Sequence, residues 1–392
     1  MRAELKLAIA STLVTAAICG VVGEVWIRLT KPHLTPDSER KVALEYAPSL
    51  FSRNQLPQRA QTTLGLDGKP MYTINPLGYR GAVTAVPKPA GRTRIVVVGG
   101  SAAFDIGASD GEDWPHLVEQ QLRAKDGNVE VINAAVPGYA TWDVLGRLYA
   151  ELWMLQPDYV VVYEAWNDIK YFPSLKPEHA LARAYLPPAS QDTDHGRMIE
   201  NPFIYYRGRI DRLLCHSQLY TRLRRRFWWW RLGEMGLEGL VTGPSDPSGD
   251  GSNYPSSYPE WGPKQYELNL RLVVAAIRAM GAKAILATQA RLVTAKNDAE
   301  QRRKIRYDYV QLSHDGLLHA FNDCDAATRR VAAEEHTGFL DLSDMLSGRQ
   351  NLFDDHVHTT RDGSHAIANA VAAYLQQQMA PTPETHGPEA GS

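Results

Sequence analysis

Four short stretches of the sequence hold residue types that together could carry out acyl transfer. Gly99-Gly100-Ser101 sets a serine directly behind the apolar run Arg94 to Gly100 (RIVVVGG). A hydroxyl there stands at the carboxyl edge of a buried strand, and the glycines permit a tight turn and close backbone approach. Near the C-terminus, Phe353-Asp354-Asp355-His356-Val357-His358 places a carboxylate three residues ahead of an imidazole. On one helix-like turn the side chains of Asp355 and His358 share a side. A carboxylate so placed fixes the tautomer of the imidazole and stabilises the imidazolium, as a general base for Ser101 requires. Two further stretches offer donors to a developing oxyanion. Gly138 closes Asn133 to Gly138 (NAAVPG) and can turn its backbone N–H to the same edge, while Asn167 in Glu164-Ala165-Trp166-Asn167-Asp168 can project its amide over it.

Each stretch also has a plainer reading. Ser101 could be the N-cap of a helix, and Pro137-Gly138 a simple turn. Asn167 could open an ordinary loop, with Asp168 capping the next segment. A phosphate loop is not indicated, because GxxxxGK[ST] and GxGxxG are both absent. Asp355 and His358 could form a polar surface turn, or His356, His358 and His365 a metal cluster. No HExxH-type helix is present and no cysteine pair has zinc-ligand spacing, so neither a metal nor another cofactor is expected. Asp105 and Asp110 read as loop residues near the serine, and Trp166 either as a wall of an acyl pocket or as core.

The elements that must position these groups follow from periodicity. Val129 to Ala134 and Tyr159 to Tyr163 (YVVVY) are further short β-branched runs, alternating with helical spacing over Trp114 to Lys125 and Thr141 to Leu155. Strand and helix in this alternation predict a parallel sheet covered by helices, an α/β fold. Regularity stops after Tyr171. Residues 172–262 are rich in Arg, Trp, Tyr, Pro and Ser and read as an insertion, helical over Ile210 to Leu232. It resumes with a helix over Lys264 to Met280, a strand over Ala284 to Thr288, a helical region over Ala299 to Glu335 broken near Ser313 to Gly316, a strand over Gly338 to Asp341 and a helix over Ser364 to Gln378.

Taken in this order, the serine, glycine, asparagine and DxxH stretches resemble the SGNH/GDSL hydrolase superfamily over Arg94 to Leu375. The lead-in Asn75-Pro76-Leu77-Gly78-Tyr79-Arg80-Gly81 resembles the segment ahead of the catalytic core in membrane-anchored bacterial members. The resemblance implies a flavodoxin-like three-layer α/β/α fold with Ser101 as nucleophile, His358 as base and Asp355 as its orienter. The Ser101 N–H, the Gly138 N–H and the Asn167 amide would form the oxyanion hole. Two blocks depart from the family pattern: its GDS reads Gly99-Gly100-Ser101, and the glycine of its GxND is Ala165. The activity implied is hydrolysis of acyl esters, O-acetyl groups on carbohydrate among them. An O-acyltransferase of surface-polysaccharide assembly, or a non-catalytic binding protein, would use the same fold.

Composition and the N-terminus set the context. The 392 residues are 44% hydrophobic and 22% charged with a formal net charge of -2, which gives no basic field for nucleic acid. Arg2 and Lys6 precede an apolar stretch from Leu7 to Val22, extended by Val25, Trp26 and Ile27 past Glu24. Its length and the lack of a small-x-small cleavage site predict an uncleaved signal anchor, ahead of a cleaved signal peptide or a buried helix. The expected organisation is an anchor over 1–30, a stem and lead-in over 31–90, the hydrolase domain over 91–380 and a disordered tail over 381–392, with the catalytic part outside the cytoplasm. Cys215 and Cys324 could form one bridge. The run Arg222, Arg224, Arg225, Arg226, Phe227 and Trp228 to Trp230 reads as an interfacial helix on anionic lipid, a lid, or a helix packing its aromatics on the core. Oligomeric state has no signature in the sequence.

Overall fold

The apolar runs condense into one parallel sheet of five strands: β1 (Thr93–Gly99), β2 (Val129–Asn133), β3 (Tyr159–Tyr163), β4 (Lys283–Ala287) and β5 (Gly338–Leu340). This computed structural model describes residues 2–30, 49, 52, 55–56, 61–64, 70–175, 209–214, 216–234 and 251–380. The spatial order is β2-β1-β3-β4-β5, and register sets Ile95 beside Val131 and Tyr159, and Val161 beside Val97 and Ile285. All five residues of β3 are buried, as in a sheet covered on both faces. The order is that of the flavodoxin-like α/β fold. Its strand order reverses between β1 and β3, and the crevice at their carboxyl ends is where such sheets place ligands.

Helices supply the outer layers. After β1 come α1 (Ser101–Phe104) and α2 (Trp114–Arg123); after β2, α3 (Thr141–Ala150); after β3, α4 (Trp166–Ile169). The second half holds α5 (Trp261–Ala279), α6 (Tyr307–Val310), α7 (His314–Glu334) and α8 (Arg361–Met379). Helix α2 packs on α8, while α3 and α7 pack on α5. On α5 the buried residues Tyr266, Leu270, Val273, Val274 and Ile277 recur at the spacing of one helix face. The helical pattern expected through Leu155 changes to a 3-10 turn over Leu152–Leu155. The expected break in the long C-terminal helical region is made by Ser313, whose hydroxyl accepts the Gly316 N–H (3.2 Å) and caps α7.

The lead-in braces the carboxyl edge of the sheet. After the strand Pro70–Ile74, Asn75 Oδ1 accepts the N–H groups of Leu77 (2.9 Å) and Tyr79 (3.2 Å), an Asx turn. That turn delivers Arg80, which is buried. Its guanidinium donates to the carbonyls of Phe104 (2.7 Å), Asp105 (3.0 Å) and Ala108 (2.7 Å).

Contacts group the chain into two units, one of residues 46–61, 70–187 and 246–392, the other of residues 1–45, 62–69 and 188–245. In the second unit the N-terminal helix runs over Arg2–Thr30, and over Ala10–Thr30 it is long and apolar enough to cross a membrane. Within the same unit lies the helix Gln218–Glu234. Glu24 accepts the Gln218 and Leu219 N–H groups (2.9 and 2.8 Å) and the Ser217 hydroxyl (2.9 Å), so a residue of the N-terminal helix caps this one. The Asp211 carboxylate, on the short helix Arg209–Leu214, accepts from Arg224 Nε (2.8 Å). Leu223, Phe227 and Trp230 are exposed. Residues 31–48 of the expected stem, residues 176–208 and 235–250 of the insertion, Cys215, the tail 381–392 and the side chains of Arg225, Trp228 and Trp229 lie outside the described residues. Cys324 is a buried thiol, and the expected bridge falls on Cys215, outside the described residues.

Candidate active site

Ser101 opens α1 two residues beyond the end of β1, with Gly100 between. The turn before it demands glycine twice. Gly99 has a φ of 150° and a Cβ there would collide with the Tyr163 carbonyl oxygen. A Cβ on Gly100 would collide with Asn167 Nδ2 and Glu164 Oε2. The turn that carries the serine therefore packs closely on the Tyr163 carbonyl and on the Glu164 and Asn167 side chains just past β3.

The structure brings Ser101, His358 and Asp355 into one chain of contacts. Ser101 Oγ lies 2.7 Å from His358 Nε2, and His358 Nδ1 lies 2.7 Å from Asp355 Oδ2. Asp355 and His358 share a side for a different reason from the expected helical turn. They lie in a loop closed by the Asp354 N–H on the His358 carbonyl (2.9 Å). Inside it, Asp355 Oδ1 accepts the N–H groups of Val357 (3.0 Å) and His358 (2.9 Å). Burial alone would push the Asp355 carboxyl up; the His356 and His358 imidazoles and the His358 N–H outweigh it and hold it below the usual carboxylate range. Burial also drives His356 down to about 3, so near neutral pH His356 is uncharged and His358 with its N–H carries that effect. One Asp355 oxygen thus orients the ring and the other anchors the loop.

Gly138 lies in the loop after β2 with a φ of 87°, at the same sheet edge and next to Tyr139. The Tyr139 carbonyl accepts from Asn167 Nδ2 (2.8 Å), while Asn167 Oδ1 accepts the Tyr309 hydroxyl (2.8 Å). Tyr309, on α6, in turn accepts from Lys170 Nζ (2.8 Å). Asp168 takes the Thr141 N–H (3.0 Å) and hydroxyl (2.5 Å) and so caps α3 from another segment. Burial, with a contribution from Asp143, pushes its carboxyl up to about 7.

One buried acid here was not singled out by the sequence. Glu164, directly after β3 and buried, accepts the Gly100 N–H on Oε2 (2.7 Å) and the Asn167 N–H on Oε1 (2.8 Å). An acid closing a fully apolar run (YVVVYE) is the signal that could have marked it. Asp105, expected as a loop residue, is buried and takes the Trp114 N–H (2.9 Å) and the Thr359 hydroxyl (2.7 Å), so the serine turn is tied to the residue after His358. Asp110 lies 3.4 Å from Arg80 Nε. Trp166 stacks on Tyr309 and lies 3.9 Å, centroid to centroid, from the His356 ring.

The Asp355, His356 and His358 ligand atoms lie within 4.8 Å of one another, close enough in principle for a cation. Both Asp355 oxygens already accept hydrogen bonds in that cluster. His365 is elsewhere, 3.8 Å from Glu112.

A sequence model of the GDSL-like lipase/acylhydrolase family matches residues 97–366. No curated protein matches the chain by sequence. Among solved structures, a lipase/acylhydrolase from Enterococcus faecalis is 17% identical, with a TM-score of 0.41 over 74% of this chain and 98% of that one. An acetylxylan esterase from Geobacillus stearothermophilus is 13% identical, with a TM-score of 0.40 over 72% and 94%. An aryl esterase of M. smegmatis is 13% identical, with a TM-score of 0.40 over 73% and 99%.

Proposed function

The chain belongs to the GDSL-like lipase/acylhydrolase family and is a hydrolase of ester bonds, and from that premise we propose that it works through an acyl-enzyme on Ser101. The observation that carries the reading is the continuous series Ser101 Oγ, His358 and Asp355, each contact 2.7 Å long. His358 Nε2 takes the Ser101 proton as Oγ attacks the ester carbonyl carbon. The imidazolium then protonates the departing alcohol, leaving the acyl group on Ser101. Water enters by the same route in reverse, giving free acid and restored serine. Asp355, held ionised, stabilises the imidazolium in both halves.

The oxyanion is met by the Ser101 N–H, the Gly138 N–H and the Asn167 amide. Asn167 has two amide hydrogens. One goes to the Tyr139 carbonyl, and the other meets only a 3.5 Å contact with Glu164 Oε2, which leaves it for a substrate oxygen. The substrates we propose are acyl esters, O-acetyl groups on carbohydrate among them. The anchor over residues 1–30 holds the hydrolase domain at a membrane, outside the cytoplasm, with the stem between.

Activity-based labelling tests the reading. The full chain in detergent should react with a fluorophosphonate probe at Ser101, and Ser101→Ala should lose the label and nearly all ester turnover while keeping its fold. A folded wild-type chain that takes no label, or a label mapping to another residue, would sink the triad. Release of free acetate from acetylated oligosaccharide, rather than transfer to a sugar hydroxyl, separates hydrolysis from acyl transfer.

A further inference from the structure

We propose that Glu164 is a positioning residue, whose carboxylate locks the turn carrying the nucleophile to the segment carrying the oxyanion amide; this rests on the reading of Ser101 and Asn167 just given. The two segments are separate connections of the sheet. Gly100 leaves β1 and Asn167 lies just past β3, and no strand ladder reaches beyond Gly99 and Tyr163 to fix one against the other. Glu164 spans that gap with one oxygen each, 2.7 Å to the Gly100 N–H and 2.8 Å to the Asn167 N–H. Its own backbone is held from behind, where its carbonyl accepts the Tyr266 hydroxyl of α5 (2.8 Å).

Gly100 and Glu164 fit as a pair. The space a side chain at position 100 would need is filled by the Glu164 carboxylate and the Asn167 amide. Where the family block carries aspartate in the serine turn, this chain carries glycine, and an acidic group enters the same space from the neighbouring strand. The departure in the serine block and the acid after β3 therefore form one arrangement. Neither Glu164 oxygen is bonded to Ser101 Oγ or His358, whose partners are each other and Asp355. Glu164 acts through the two backbone N–H groups it holds and through the 3.5 Å contact of its Oε2 with Asn167 Nδ2.

Two N–H donors need an acceptor on each oxygen, which the ionised carboxylate offers; burial and Asp168 push this carboxyl up to about 8 against the pull of the two N–H bonds, so the variants are compared above pH 8. An amide of the same shape offers one carbonyl oxygen and, in place of the other, an NH2 that opposes a second N–H. Glu164→Gln therefore keeps the volume and breaks the lock on one side. A misplacement on the order of 1 Å at a reacting centre can lower rates about 100-fold. For Glu164→Gln the expected result on a soluble aryl ester is kcat lower by about 10- to 100-fold with KM changed by less than about 3-fold. Fluorophosphonate labelling of Ser101 should slow by the same factor, and thermal unfolding should stay cooperative. Because the lock acts on Asn167, the same change in an Asn167→Ala background should cost clearly less than in the wild type.

A folded Glu164→Gln chain with wild-type kcat and labelling rate overturns the proposal, as does full additivity with Asn167→Ala. Should Glu164→Gln not fold, Glu164→Asp, which keeps the carboxyl group but shortens the reach by a methylene, carries the same test: a fall in kcat at steady KM supports the lock and an unchanged kcat overturns it. Failure of the triad reading looks different. There the wild type itself takes no label, whereas failure of the lock leaves the wild type and Glu164→Gln labelled alike.

Discussion

An amide that is to meet an oxyanion must present N–H and not C=O, and the surroundings of Asn167 make that choice. The Tyr309 hydroxyl donates to Oδ1, the Tyr139 carbonyl accepts from Nδ2, and both contacts are 2.8 Å. Rotating the amide by half a turn would set Oδ1 against the Tyr139 carbonyl oxygen, two acceptors facing each other. Asn167→Ala should then lower kcat by about 100-fold or more with little change in KM, since one oxyanion donor contributes about 3 kcal/mol to the transition state. Steady-state kinetics on an aryl ester checks this, and unchanged turnover would remove Asn167 from the site. The residues named from sequence were those whose type and spacing are themselves chemical: a serine behind two glycines, a carboxylate three before an imidazole, an asparagine after a strand. Glu164 and Tyr309 escaped, and Asp105 read only as a loop residue, because their partners are far away in the chain. Glu164 is 64 residues from Gly100 and Asp105 is 254 from Thr359, and no local pattern encodes such meetings.

At the scale of elements, β1, β2 and β3 were legible because a short run rich in valine and isoleucine, buried almost throughout, has a composition that few other elements share. Helix ends were less so, since caps from a distant segment decide them, as Asp168 does for α3. The start of α2 shows what such an end can hold. His116 Nδ1 lies 2.7 Å from both Asp113 oxygens, and Asp113 also accepts from Asn133 Nδ2 (3.1 Å). Burial would lower the His116 pKa, but the bond and charge of Asp113 outweigh it and raise the value above the ordinary 6.5. Asp113, against its own burial, is held low chiefly by His116 and Arg80. The sign follows from linkage. The histidine's contribution to stability is complete below about pH 6.5 and fades as pH rises through the higher folded value; that of Asp113 is complete above the ordinary carboxylate range and fades as pH falls through its depressed one. The thermal midpoint should therefore drop as pH is raised from about 6.5, and His116→Gln should flatten that part of the curve. An identical slope in the variant would exclude the pair as its source.

At the scale of the whole molecule, the sequence marked where the alternating pattern stops, and the family match spans that interruption. It did not reveal with what the insertion would fold, because composition rich in Arg and Trp is compatible with lipid, lid or core. Part of the answer lies in one carboxylate. Glu24, in the stretch that reads as an anchor, takes the first N–H groups of the helix Gln218–Glu234, groups a helix cannot satisfy for itself. Removing residues 1–30 to obtain a soluble enzyme should leave that end uncapped, at a cost of about 0.5–2 kcal/mol to a short helix. Amide exchange at Gln218 and Leu219 should quicken and proteases should cut within 218–234, while the full chain in detergent stays protected; equal protection in both would show that the cap contributes nothing. A trimmed leader is thus more than a lost tether, because the shortened chain also lacks the residue that finishes a helix starting 194 positions downstream.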